Sequence, residues 1–72
     1  MIYYIVDCWY DDRYFKPIFY REYKRLAYAK KAYEKYLLRA LDNDNIRLTL
    51  RKVDTSETDE FGFYKHEWIA EI

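Results

Sequence analysis

The chain has 72 residues, 51% hydrophobic and 36% charged, with thirteen basic and thirteen acidic side chains that cancel at pH 7. That much apolar surface offsets ordering entropy, which excludes a flexible linker, a low-complexity tract and intrinsic disorder, and the length supports one hydrophobic core. One glycine, one cysteine and one histidine exclude a glycine-rich phosphate loop, an internal disulfide and a four-ligand zinc site.

Residues 2–10 alternate as a strand does. Ile2, Tyr4, Val6, Cys8 and Tyr10 fall on one face; Tyr3, Ile5, Asp7 and Trp9 fall on the other. Asp7, Asp11 and Asp12 stand where a secretory leader would carry basic residues, so these apolar residues are expected in the folded domain. Asp11-Asp12 marks a turn, and residues 13–16 return as a short second strand that Pro17 confines to an edge.

From about residue 18 to 41 the period changes to that of a helix. Tyr23, Leu26, Ala29, Tyr33, Tyr36, Leu37, Ala40 and Leu41 cluster on one side, with Arg21, Lys24, Tyr28, Lys31, Lys35 and Arg39 opposite. Asp42-Asn43-Asp44-Asn45 supplies the stop. Residues 46–53 alternate again, DTSETDE reads as a polar loop, and residues 61–71 form the last strand. There Tyr64, His66, Trp68 and Ala70 are expected on the core face. The fold expected is α+β in two layers: one long amphipathic helix on a three- or four-stranded, mainly antiparallel sheet, in the order β(β)αββ, as a single domain.

Two surfaces stand out. Residues 13–39 hold nine basic and two acidic side chains, and the rest of the chain holds four and eleven. Zero net charge therefore conceals an asymmetry of +7 against −7. Lys and Arg also serve simply as good helix formers on a solvated face. As a site, Lys24, Tyr28, Lys31, Lys35 and Arg39 suit an anion or single-stranded nucleic acid, which interleaved cations and aromatic rings bind. A sequence pI of about 6.6 makes that the second choice.

The other surface is the sheet face away from the helix, where Tyr3, Ile5, Trp9 and Ile69 are expected as an apolar patch with Arg47 and Arg51 at its rim. Ten tyrosines exceed what so small a core buries with satisfied hydroxyls, and exposed Tyr, Trp and Arg dominate interfaces. The partner expected is a protein, or a second copy of the chain meeting it through this face or a free strand edge. Asp54, Glu57, Asp59 and Glu60 form an acidic loop that could fill a basic groove on a partner.

Catalytic groups are sparse. His66 is expected as a structural residue, Cys8 as a small packed side chain, and Asp7, Asp11 and Asp12 as too little for a magnesium site. A small metal-free ribonuclease built from Tyr, Lys, Arg and His66 is the remaining enzymatic alternative. No cofactor and no metal are expected. No apolar run reaches the roughly 20 residues of a membrane span. A single unpaired cysteine fits a reducing compartment, so the cytoplasm is the expected location.

In format, a compact, Tyr-rich single domain without catalytic groups is similar to the small inhibitor proteins that phages direct against host defence enzymes. The likeness implies a protein-binding inhibitor acting by docking, in the host cytoplasm if phage-encoded.

Overall fold

A computed structural model of the chain describes residues 1–11 and 16–72. Its elements are β1 (Ile2–Tyr10), β2 (Phe19–Tyr23), α1 (Leu26–Leu41), β3 (Ile46–Thr58) and β4 (Tyr64–Glu71). The strands form one antiparallel sheet in the order β2-β1-β3-β4, with α1 across one side. This is the α+β two-layer domain that the periodicity predicts.

Alternation on β1 sorts the layers. Val6 and Cys8 turn toward α1, and their partners Leu50 and Leu48 on β3 do the same. With Ile46 they meet Ala29 and Ala40 of the helix in the core. The two alanines let the helix backbone approach the sheet closely, so a small aliphatic cluster fills the gap. Tyr4, Tyr10, Phe19, Tyr23, Tyr33 and Tyr36 form a ring around it. None of the nine described tyrosines is buried, which keeps their hydroxyls within reach of water.

Three boundaries differ from the sequence expectation. The expected strand at 13–16 falls mostly on residues 13–15, which lie outside the described residues. The partner of β1 is instead Phe19–Tyr23, and α1 begins at Leu26 rather than near 18. Phe19, Arg21 and Tyr23 alternate with Tyr20 and Glu22, and five residues suit a period of 2 as well as one of 3.6. The free edge of β1 decides, because pairing there extends from Cys8↔Phe19 to Tyr4↔Tyr23. The segment expected as a polar loop from Asp54 continues β3 to Thr58.

A further difference re-aims a strand. Leu50 faces Ala70 while Arg51 faces Trp68, so Ile69 is an extra residue, a β-bulge. Ala70 packs against the core cluster, but Tyr64, His66 and Trp68 turn to the opposite side, against the expectation that all four share the core face. Leu41, expected inward, is 59% exposed.

Candidate functional site: the open sheet face and the groove beside the helix

Strand registers lay out the side of the sheet away from α1 as a grid. One row runs Tyr3, Val53, His66; the next Glu22, Ile5, Arg51, Trp68; the third Tyr20, Asp7, Thr49, Glu71; the last Trp9, Arg47. The middle of the grid is closed to solvent although no second helix covers it among the described residues. Ile5, Asp7 and Val53 are buried, under the long side chains around them.

A charged network sits at the centre. The Asp7 carboxylate accepts hydrogen bonds from the Thr49 hydroxyl and, at 2.5 Å, from an Arg51 guanidinium N–H. The pair is well shielded, with side chains 8% and 18% exposed for Asp7 and Arg51. The same guanidinium lies over the Trp68 ring at 5.2 Å from its centroid. The planar fork of an arginine can serve a carboxylate along its edge and an aromatic ring on its face. Three strands are thereby tied together, and Trp68 is held upright beside them with 56% of its surface exposed. Tyr20 stands on the other flank. Burial pushes its hydroxyl pKa above the usual 10.0, with Glu22 adding to the rise and Arg51 opposing it.

The expected docking residues are placed unevenly. Tyr3 and Trp9 are half-buried and stand six residues apart on β1, about 20 Å, so they do not make one patch. Ile5 is 4% exposed, shut between Glu22 and Arg51, and has no surface to offer. Arg51 is not a rim residue, because its charge is consumed by Asp7. Arg47 does lie at the margin and pairs with Asp11 at 3.2 Å. Ile69 is the bulge residue, 39% exposed. Trp68, Tyr64 and Tyr20 were missed. The run Trp68-Ile69-Ala70 was the available signal: three apolar residues in succession break the alternation of a strand with one covered face.

Tyr3 and Tyr64 join Met1, Tyr23 and Thr55 around a cavity of about 370 Å³ at one end of the sheet, flanked by Glu22 and Lys24. Lys24 thus leaves the basic helix face on which the sequence placed it.

On the other side of the sheet a groove of about 500 Å³ runs between α1 and edge strand β2, lined by Phe19, Arg21, Tyr23, Tyr28, Lys31, Ala32, Lys35 and Tyr36. It brings together Tyr28, Lys31 and Lys35 as expected and adds Arg21, which the helical reading of residues 18–25 had set on the helix. Arg39 lies nearer the far end of α1, close enough to Cys8 to oppose the rise that burial imposes on the thiol pKa. His66 is exposed on the open face, opposite Val53, with the sheet between it and these lysines.

Of the three aspartates considered for a metal, Asp7 is held by Arg51 and Thr49 and Asp11 pairs with Arg47, and Asp12 lies outside the described residues. In the acidic loop, Asp54 accepts from the Ser56 hydroxyl at 2.6 Å and its N–H at 2.9 Å. These bonds lower the Asp54 pKa below its usual 3.8. Asp59 accepts from the Phe61 and Phe63 N–H groups, which shapes a tip with both rings exposed. The loop therefore spends two of its carboxylates on its own backbone.

Among the described residues no helix is long and apolar enough to cross a membrane. No protein-family model matches the chain, and no curated protein or solved structure is significantly similar to it.

Proposed function

We infer that this chain is a protein-binding module without catalysis of its own, docking the open face of its sheet onto a protein partner and blocking the surface it covers. The observation that supports this most is the exposed Trp68 ring, ordered from beneath by Arg51. The Trp68 ring lies against a guanidinium that is itself paired with Asp7, and Tyr64, farther along β4, and Tyr20, on the opposite edge strand, are exposed on the same face. Side chains already ordered in the free protein lose little entropy on binding, and Trp and Tyr are the residues that dominate interface energies. The cavity between Tyr3 and Tyr64 is a socket for an apolar side chain from the partner.

The likeness in format to phage inhibitors makes an enzyme of a host defence system the first partner class to try. The test is to capture partners with the immobilised protein, identify one, and measure its affinity for purified variants. Trp68→Ala should weaken binding by about 30-fold or more, the effect of losing a central anchor. Tyr28→Ala, on the other side of the sheet, should not alter it. Unchanged affinity for a folded Trp68→Ala protein overturns the assignment of this face.

A further inference from the structure

We propose that the groove between α1 and β2 binds single-stranded nucleic acid, as a site separate from the open sheet face.

Phe19 and Tyr36 stack at 4.6 Å with 28° between their planes and form the floor. Tyr28, one helical turn before Ala32, makes a wall and is 55% exposed, so one aromatic face is free to receive a base. Three cations, Arg21, Lys31 and Lys35, share the lining and no carboxylate does. Glu22 alternates to the opposite side of the sheet, and Glu34, the one acid of α1, stays outside the groove. Arg21 lies 5.6 Å from the Tyr23 centroid and Lys35 5.9 Å from that of Tyr36, which places positive charge along the ring faces. Lys31 and Lys35 are four residues apart, about 6 Å along the helix axis, comparable with the step between successive phosphates of an extended strand.

The ligand chemistry follows from these parts. A groove of about 500 Å³ is the size of a site for one small organic unit, here a nucleobase against Tyr28. The cations on either side then neutralise the phosphates that flank it. An aromatic face accepts any base, so binding should be tolerant of sequence, and an unpaired strand is required because a duplex hides its base faces. A neutral molecule can do this because the acids lie elsewhere: of the eleven outside residues 13–39, eight fall in residues 42–71 on other elements and loops, and Asp7 points to the other face of the sheet.

The experiment is fluorescence anisotropy of a labelled single-stranded oligonucleotide, about fifteen nucleotides long so that one groove is spanned, titrated with the intact chain between roughly 50 and 200 mM salt. Three phosphate contacts give a slope of about −2 in log K against log salt. Lys31→Gln with Lys35→Gln should weaken binding at least tenfold and flatten the slope toward about −0.7. Tyr28→Ala should weaken it about 5- to 150-fold, the loss of one stacked base, with the slope unchanged. Lys30→Gln, a helix cation outside the groove, serves as the control, and circular dichroism confirms that each variant is folded. The proposal is overturned by no anisotropy change at low salt, by equal loss in Lys30→Gln, or by a mononucleotide competing as well as the strand at equal molarity.

Discussion

Asp7 and Arg51 meet at 2.5 Å although they are not opposite each other in the sheet: Asp7 faces Thr49, and Arg51 faces Ile5. The contact is diagonal, and it closes the open face over Ile5 while aligning Arg51 under Trp68. Leaving either charge alone in so shielded a place costs far more than the pair contributes. Asp7→Ala should therefore destabilise the protein by about 3–5 kcal/mol, and a chain of this size has little to spare. Replacing both, Asp7→Leu with Arg51→Met, should restore most of that loss. Urea unfolding of the two single variants and the double variant measures it. If the double variant is no more stable than the singles, the pair is not what closes this face.

The start of α1 is poorly adapted to being a helix. Arg25 occupies the N-cap with no side-chain hydrogen bond, and no acid lies in the first turn. The first N–H groups are left to water, and a cation sits at the positive end of the helix dipole. Arg25→Ser should gain about 1 kcal/mol. In a domain this small that raises Tm by roughly 4–8 °C. Arg25 does not line the groove, so oligonucleotide affinity should stay within the small change expected from removing one distant charge.

Gly62 holds φ at +87°, with open space where a Cβ would go, and its N–H donates to the Asp59 carbonyl. Only backbone strain opposes a side chain there. Gly62→Ala should cost roughly 1–2 kcal/mol. Strand β1 pairs only as far as Asp54 on β3, so the tip is carried by the hairpin alone and the loss should be local. Amide exchange should quicken at residues 58–64 and stay slow at Val6 and Leu48. Equal quickening in the core would show that the tip unfolds only with the whole domain.

Stability should decline on the alkaline side. Burial raises the pKa of Cys8 above 9.0 and of Tyr20 and Tyr33 above 10.0. In the unfolded chain these groups ionise at their ordinary values, so the native state holds more protons between the ordinary and the raised pKa. Their contribution is intact below the ordinary values and is lost as pH climbs through the raised ones. Asp54 behaves in the opposite sense: its lowered pKa favours the native state above 3.8, and that contribution fades as pH falls. Tm measured from pH 7 upward, together with tyrosinate absorbance, checks the first limb. A carboxyl titration of Asp54 in Ser56→Ala, expected to move back up, checks the second.

How much of this was legible without coordinates differs from element to element. The strict alternation of Ile46, Leu48 and Leu50, and of Val6 with Cys8, was enough to mark both segments as strands and to show which side chains share a face, while their pairing at the centre of the sheet came only from the structure. Burial of one face leaves period-2 strands no choice of side. The later half of the helix was equally plain, since Tyr33, Tyr36, Leu37 and Ala40 keep a period that no strand satisfies. Phe19–Tyr23 was not, because five residues beside a proline fit either period until an edge strand claims them. The groove inherits that ambiguity: Lys31 and Lys35 could be read from the helix, but Arg21 and Phe19 face them only because β2 is a strand.

What the chain determined by itself is its fold class, its charge asymmetry and the need to keep tyrosine at the surface; these are consequences of composition and of short-range periodicity. The tertiary structure alone decided which aromatic rings stand on the open face. One extra residue at Ile69 turns Trp68 and His66 away from the core, and a diagonal ion pair buries Arg51. Register and bulge position are properties of the paired strands, set by how backbone hydrogen bonds and packing close together, and no single strand carries them.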